Sequence, residues 1–269
     1  VARNIHPTAI IDKSAKVGEG TVIGPYVVVD ADVVIGENCR IEPFVHIKRF
    51  VSMGSGNHIH SNACIGGEPQ HLGFRGEDTL VEIGDNNIIR ESVTIHRGTA
   101  QGRGKTILGS NCLLMAYAHI AHDCVVGNKV ILANSVNLAG HVEVGDCVVV
   151  SGMAAVQQWI KIGEYAFLGG ASGYNLDIPP YMLAHGVRGK LFGPNLIGLK
   201  RHGFTAEACQ ELKKAYRIIF RSGLGKEDAL ARVEAELPDI PEVARLVAFI
   251  RESKNGVAPA SASKNGNGE

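Results

Sequence analysis

The sequence is poor in the features that mark many functional classes. Aromatic residues make up 6% of the 269 residues, with a single Trp. Neither sign of charge is in excess, since Lys+Arg and Asp+Glu stand at 27 each. No broad field therefore draws the chain to nucleic acid. No apolar run approaches the ~20 residues that cross a bilayer, so no membrane insertion is expected. No signal-peptide pattern opens the chain, and VARNIHPTAI runs at once into periodic sequence. The six cysteines fall at irregular spacing, none in CxxC. That usage suits reduced thiols in a cytoplasmic protein.

Glycine is abundant, at 33 residues, and so is a period of six. From Ile5 an aliphatic residue falls on every sixth position through Ile11, Val17, Ile23, Val29 and onward to Ile65. The series resumes at Ile83, Ile89 and Ile95, shifts phase, and runs from Leu108 to Leu168. Neither a 3.6-residue helix nor an alternating strand has this period. Four places after each aliphatic sits a small or β-branched residue, such as Ala9, Thr21, Val33 or Ala118. Cys39, Cys112 and Cys124 occupy that slot and read as core fillers. Glycine often follows the aliphatic directly (Gly18, Gly24, Gly36, Gly127), where it is expected to give a corner its freedom. Each hexapeptide is then one short strand plus a turn. Three make one coil of a parallel β-helix, about eight to nine coils in all. In this pattern the chain resembles the hexapeptide-repeat acyltransferases, which implies a left-handed prism. Periodicity does not give the hand, and the general crossover rule favours the opposite one.

The expected fold is mainly β: a left-handed parallel β-helix followed by a C-terminal α-helical domain. The prism spans residues 1–190, with loops at 66–82 and 98–106 where the period breaks. Long loops on a rigid repeat are often functional. The period ends at Ile178-Pro179-Pro180, and the helical domain covers 191–254. Helices are expected near 194–202, 205–223 (Thr205 as N-cap), 226–236 and 240–252. The low-complexity tail 255–269 is expected to be disordered.

AHIAHDC (118–124) holds the candidate chemistry. Positions eighteen apart stack, so His122, Gly140 with His141, and Gln158 form an outward stripe. His119 falls near the corner before Ile120. Met115 and Tyr117, with Trp159 and Phe167 further up, read as outward apolar residues beside that track and suggest an interface. A three-sided prism with such a face suits a cleft between subunits of a homotrimer. The residues leave three readings open. His119, His122 and His141 could bind zinc between subunits, as in the hexapeptide-repeat carbonic anhydrases. The prism could be a binding scaffold with structural histidines. Or His122 could act as a general base on a hydroxyl that attacks a thioester. Asp123 would then orient the ring, and the Gly140 N–H would face the oxyanion. No nucleophile sits beside His122, which favours direct transfer.

RESVTIHRGT (90–99), AYAHIAHDC (116–124), LANSVNLAGHVEV (132–144) and LKRHGF (199–204) together sharpen the resemblance. Over about residues 1–255 they are similar to the UDP-N-acetylglucosamine O-acyltransferases that begin lipid A synthesis. The resemblance implies transfer of an (R)-3-hydroxyacyl chain from acyl carrier protein to the sugar 3-position of UDP-N-acetylglucosamine. It implies no cofactor, no metal and a homotrimer. The family's base matches His122, its other site histidines His119 and His141, its oxyanion amide Gly140, and its acyl-side glutamine Gln158. Gly170 matches the position that limits acyl length, so glycine there implies a longer chain. Gln70 and Leu72 match the loop motif, whereas His71 and Gly73 replace its Asp and Lys. Gln157 replaces a site His. At the nucleotide end Asn195 and Arg201 match, while Arg188, Ile197 and His202 differ. These departures leave room for a 3-amino acceptor and an amide product. Lys213, Lys214, Arg217 and Arg221, with Arg97, Arg103 and Lys105, offer a basic surface to the acidic carrier.

Overall fold

The computed structural model describes residues 4–262. Each six-residue unit contributes a strand of two to four residues, such as Val22–Ile23 or His119–Ile120. In the two-residue strands the second residue points into the prism. Successive units turn onto successive faces, so among the described residues the strands gather into three sheets of eleven, nine and eight strands, parallel throughout except for the last pair of the first. The first face begins at Asn4–Ile5, the second at Ile10–Ile11 and the third at Lys16–Val17. Stacked partners lie eighteen residues apart, as in His119 with Asn137 and Asn137 with Ala155.

The core is the column of inward aliphatics. Ile59, Ile65, Ile95, Ile120 and Leu138 are wholly buried. The small-residue slot does more than fill space. The thiols of Cys39, Cys112 and Cys124 donate to the carbonyls of Gly54, Gly127 and Ala139 on the next coil, at 3.3, 3.2 and 3.1 Å. Thr21 does the same to Gly36 at 2.9 Å. A side chain small enough for this corner therefore also ties adjacent coils.

The glycines after the aliphatics have a different cause from the one expected. The left-handed backbone falls three places after the aliphatic, at Tyr26, Asn38, Asn62 or Asp123. Gly18, Gly36 and Gly127 are not left-handed; they stack coil on coil. A Cβ on Gly36 would lie 2.5 Å from the Gly54 backbone. Close approach, not turn freedom, demands glycine there.

Two insertions break the eighteen-residue offset. Cys64 pairs with Thr94 across an offset of thirty, and Thr94 with His119 across twenty-five. Both extra segments, 68–79 and 97–104, leave between the second and third faces. That edge is called the second edge below, and the one between the first and second faces the first edge.

Above the prism, an antiparallel pair, Met182–His185 with Lys190–Pro194, closes the first face. Four helices follow: α1 (Leu196–Arg201), α2 (Ala206–Arg221), α3 (Lys226–Glu236) and α4 (Pro241–Glu252). Thr205 caps α2, accepting from the Ala208 N–H at 3.0 Å. The chain then turns back, contrary to the expected disorder from 255. Val257 bridges Asp177, Ala260 bridges Leu191, and Ala258 is buried. The buried Asp177 carboxylate holds this return by accepting from Ser253 Oγ and Asn255 Nδ2. Composition hid the segment because backbone pairing, one buried acid and a few small apolar residues (Val257, Ala258, Ala260), not large apolar side chains, anchor it. The rest of the expected tail, 263–269, lies outside the described residues.

Candidate active site

His122 and Asp123 sit at the second-edge corner that follows the strand His119–Ile120. Asp123 has the left-handed backbone of that corner, with φ of 61°, a conformation Asp tolerates better than most residues. The turn brings the Asp123 carboxylate back onto its own neighbour. Asp123 Oδ2 lies 2.9 Å from His122 Nδ1. Both side chains point away from the prism core, yet neither is exposed: Asp123 is wholly buried and His122 nearly so. The stripe geometry predicted the outward direction, whereas the cover comes from the two insertions. His71, on the first, meets the His122 ring edge-on at 5.4 Å. The second wraps Asp123, which accepts from the Thr99 N–H, the Thr99 hydroxyl (2.7 Å) and the Arg103 N–H (2.8 Å).

Burial opposes the Asp123 charge, but the hydrogen bonds from His122, Thr99 and Arg103 outweigh it and hold the carboxyl at about 2. An ionised Asp123 fixes the His122 tautomer, with the proton on Nδ1 and the lone pair on Nε2. Gly140, one coil on, lies against the His122 ring. A Cβ on Gly140 would stand 2.7 Å from His122 Nε2. Among the described residues the Gly140 N–H meets no acceptor. An imidazole base and a free backbone donor thus share one small space.

His141 crosses His122 at 5.0 Å and stacks on Trp159, nearly parallel, at 3.6 Å. Burial lowers its pKa, and the Asp123 charge only partly offsets this. His119 lies in its strand, not at a corner. Its Nδ1 is 2.7 Å from the Thr94 hydroxyl and its ring meets His96 edge-on at 4.9 Å. Burial and then His122 lower its pKa, while burial and then His119 push His96 down to about 4. His96, Thr94, Thr99 and Trp159 complete this wall. The first three lie in the quoted TIHRGT, but the second insertion shifts the stacking offset and hid their alignment with 119–124.

Gln70 and the fully exposed Leu72 flank His71 on the first insertion, and Gln158 lies exposed one coil above Gly140. Met115 and Tyr117 do not border this track. They follow the first-face strand Leu113–Leu114 and lie on the first edge, because six residues advance the chain by one face. Phe167 belongs to the first face as well; of the four only Trp159 shares the histidine edge. Gly170 is on the first edge, where a Cβ would press 2.9 Å from the Gly152 carbonyl, so coil packing alone requires glycine. Asn195 spends its side chain capping α1 and donating to the Tyr165 carbonyl. His202 packs edge-on against Tyr165 at 5.2 Å, Arg201 is exposed at the end of α1, and Arg188 shares a cavity with Gln157 and Tyr174. Among the described residues no hydrogen bond or ring contact joins these to His122.

The expected basic surface is smaller than its charge count. Arg97 is buried under Phe50 and Phe74. Arg103, Lys105 and Lys214 pair with Glu143, Glu82 and Glu211 at 2.8, 2.9 and 2.8 Å. Among the described residues Lys213, Arg217 and Arg221 remain without an ion pair, and Lys213 and Arg217 line, with Lys200, a groove of about 460 Å³ between α1 and α2.

Within one chain the zinc reading does not find the three ligands it names. His122, Asp123 and His141 approach within 4.8 Å of one another, but His119 is not among them. The Asp123 oxygens are already saturated by hydrogen bonds from Thr99, Arg103 and His122.

Prism, dyad and free amide together define a hexapeptide-repeat acyltransferase. Comparison with known proteins agrees. Residues 32–67 and 105–140 match the bacterial transferase hexapeptide family, and 177–258 match the second domain of UDP-N-acetylglucosamine O-acyltransferase. The acyl-[acyl-carrier-protein]–UDP-N-acetylglucosamine O-acyltransferase of Halorhodospira halophila is 49% identical, covering 94% of this chain and 98% of that protein. The crystal structure of the Bacteroides fragilis UDP-N-acetylglucosamine acyltransferase superposes with a TM-score of 0.93 at 44% identity, covering 94% and 99% of the two chains. The Acinetobacter baumannii structure gives 0.92 at 41%, with the same coverage. The chain belongs to the UDP-N-acetylglucosamine O-acyltransferase family, and its parallel β-helix is left-handed.

Proposed function

We propose that the protein transfers an (R)-3-hydroxyacyl group from acyl carrier protein to the 3-hydroxyl of UDP-N-acetylglucosamine, the first step of lipid A synthesis. The 2.9 Å His122–Asp123 contact, with Gly140 packed against the same imidazole, carries this reading. His122 Nε2 takes the sugar hydroxyl proton as the oxygen attacks the thioester carbonyl. Negative charge passes to the carbonyl oxygen, where the Gly140 N–H meets it. Collapse breaks the C–S bond, and the imidazolium returns its proton to the departing thiolate. His119, His141, His71, Gln70 and Leu72 enclose the acceptor, and Gln158 borders the acyl chain. Arg188, Arg201 and His202 serve the nucleotide end, which Asn195 shapes through its cap.

The acyl chain has an apolar cavity of about 340 Å³ available, lined by Phe167, Gly169, Leu183, His185 and Phe192. It lies three coils above His122, roughly 14 Å at the strand spacing, which suits a long acyl group. It also opens from the first face, whereas His122 is on the second edge. A first edge of one subunit set against the second edge of another would bring the two together, which suits a closed homotrimer. The groove at Lys200, Lys213 and Arg217 suits the acidic carrier. Both substrates are cytoplasmic molecules, so the enzyme acts there; no helix among the described residues is long and apolar enough to cross a membrane.

The test is incubation of wild type and His122→Ala with a panel of acyl carrier protein thioesters and both hydroxy- and amino-sugar nucleotides, read by mass spectrometry. Ester on UDP-N-acetylglucosamine from wild type alone is the expected product. An amide product would move the acceptor to the 3-amino sugar, and an active His122→Ala would end the base assignment.

A further inference from the structure

A second histidine cluster lies away from the active site, on the first edge. Glu42 and His60 each follow an inward isoleucine on the first face and are eighteen residues apart, so they stack on adjacent coils. His58, the outward residue of the strand His58–Ile59, stands beside them, and Glu91 comes from the next coil. The two imidazoles stack at 4.0 Å. Glu42 Oε1 is 2.9 Å from His58 Nε2. His60 Nδ1 lies 3.5 Å from Glu42 and 3.7 Å from Glu91.

Those last spacings are informative. They are long for hydrogen bonds, and among the described residues the half-buried His60 ring makes none. Ligand atoms about 2.0–2.2 Å from a tetrahedral zinc are separated by about 3.3–3.5 Å. The 3.5 Å gap between His60 Nδ1 and Glu42 is that of a coordination polyhedron's edge, and the 3.7 Å gap to Glu91 is slightly wider. One atom from each of Glu42, His58 and His60 falls within 4.8 Å of the others. The contrast with Asp123 is direct: Glu42 accepts one hydrogen bond, from His58, and meets Arg40 only at 3.5 Å.

We propose that Glu42, His58 and His60 form a site for a zinc-class divalent transition metal, which cross-braces adjacent coils of the prism. Glu91 is the nearest further oxygen. Arg40 and Arg90 stand close and balance the two carboxylates, so affinity is moderate and the metal dissociates under chelation. The coils themselves fix the ligand positions, so binding needs no rearrangement of the backbone. The site does not depend on the acyl-transfer reading, since no catalytic group takes part.

The experiment uses the full chain, stripped with chelator and titrated with Co²⁺ by visible absorption, then with Zn²⁺ by calorimetry. One equivalent per chain is expected, with a Co²⁺ ligand-field band displaced by Zn²⁺. Melting temperature should rise with added Zn²⁺ by mass action. His60→Ala and Glu42→Gln should each weaken binding more than about 10-fold, and His122→Ala should leave it unchanged. Far-UV circular dichroism checks each fold; should His60→Ala fail to fold, the milder Glu42→Gln decides. Absence of binding by wild type at micromolar metal overturns the site. Equal binding by both cluster variants does so too, as does loss of binding in His122→Ala, which would move the metal to the catalytic edge.

Discussion

At the left-handed corner position the first edge carries Tyr26, Phe44, Tyr117 and Met153, all more than half exposed. The second edge carries Asp32, Phe50, Asp123, His141 and Trp159 at the equivalent place. A bulky residue in that conformation costs about 1–2 kcal/mol, so aromatics repeated there need a compensating contact. On the second edge the compensation is internal: Asp123 is held by Thr99 and Arg103, and Trp159 by His141. On the first edge the aromatic faces meet no such cover, apart from the Tyr26–Phe44 stack. One repeat rule thus produces an edge that closes on itself and an edge that asks for a neighbour. Both insertions leave from the first kind.

Breaking the second edge should give the largest effects. His122→Ala removes the proposed base and should lower acyl transfer by about 10²–10⁴-fold, with the melting temperature retained. Asp123→Asn should follow, at about 10²-fold in kcat, because an amide can no longer fix the His122 tautomer. It should also lower the melting temperature, since an NH₂ group would face the donors of Thr99 and Arg103. In wild type the Asp123 contribution is present above its unfolded value near 3.9 and is lost as pH falls through about 2. Gly140→Ala places a methyl carbon 2.5 Å from the His122 ring, so the base must move, and a roughly 10- to 100-fold loss is expected.

The first edge is tested by assembly. Tyr117→Glu with Met153→Glu should shift a trimer toward monomer in sedimentation velocity and reduce transfer at low protein concentration. An unchanged trimer would assign the interface elsewhere. The smallest effect is a slope. His96 has its folded pKa depressed to about 4, so the unfolded chain binds the extra proton between there and about 6.5. Stability should fall as pH drops through that window and level off below it. His96→Asn should flatten the melting temperature across the same range.

The period of six sufficed for the coil, the inward residues and the outward turn of His122, because those depend only on counting. It could not reveal what covers His122, since the cover comes from segments that break the count. Thr99 and Arg103 are invisible as partners of Asp123 for that reason, whereas the orienting contact of Asp123 with His122 is between chain neighbours and could be expected. Met115 and Tyr117 went to the wrong edge because an outward residue belongs to a face only after the one-third turn per hexapeptide is applied. Glycine after the aliphatic was read as turn chemistry when the cause was the coil above. Val257 and Ala260 show the complementary failure, in which hydrogen bonding orders a stretch that composition marks as free.

The offsets of thirty and twenty-five have one more consequence. Neither extra length is the same, and only one is a multiple of the repeat, yet the strands beyond each resume pairing in frame. An edge of this solenoid therefore behaves as a port: chain can be spliced in or cut out there without a frameshift in the coils. Catalysis and substrate choice can then change by insertion and deletion, while the spring beneath keeps its pitch.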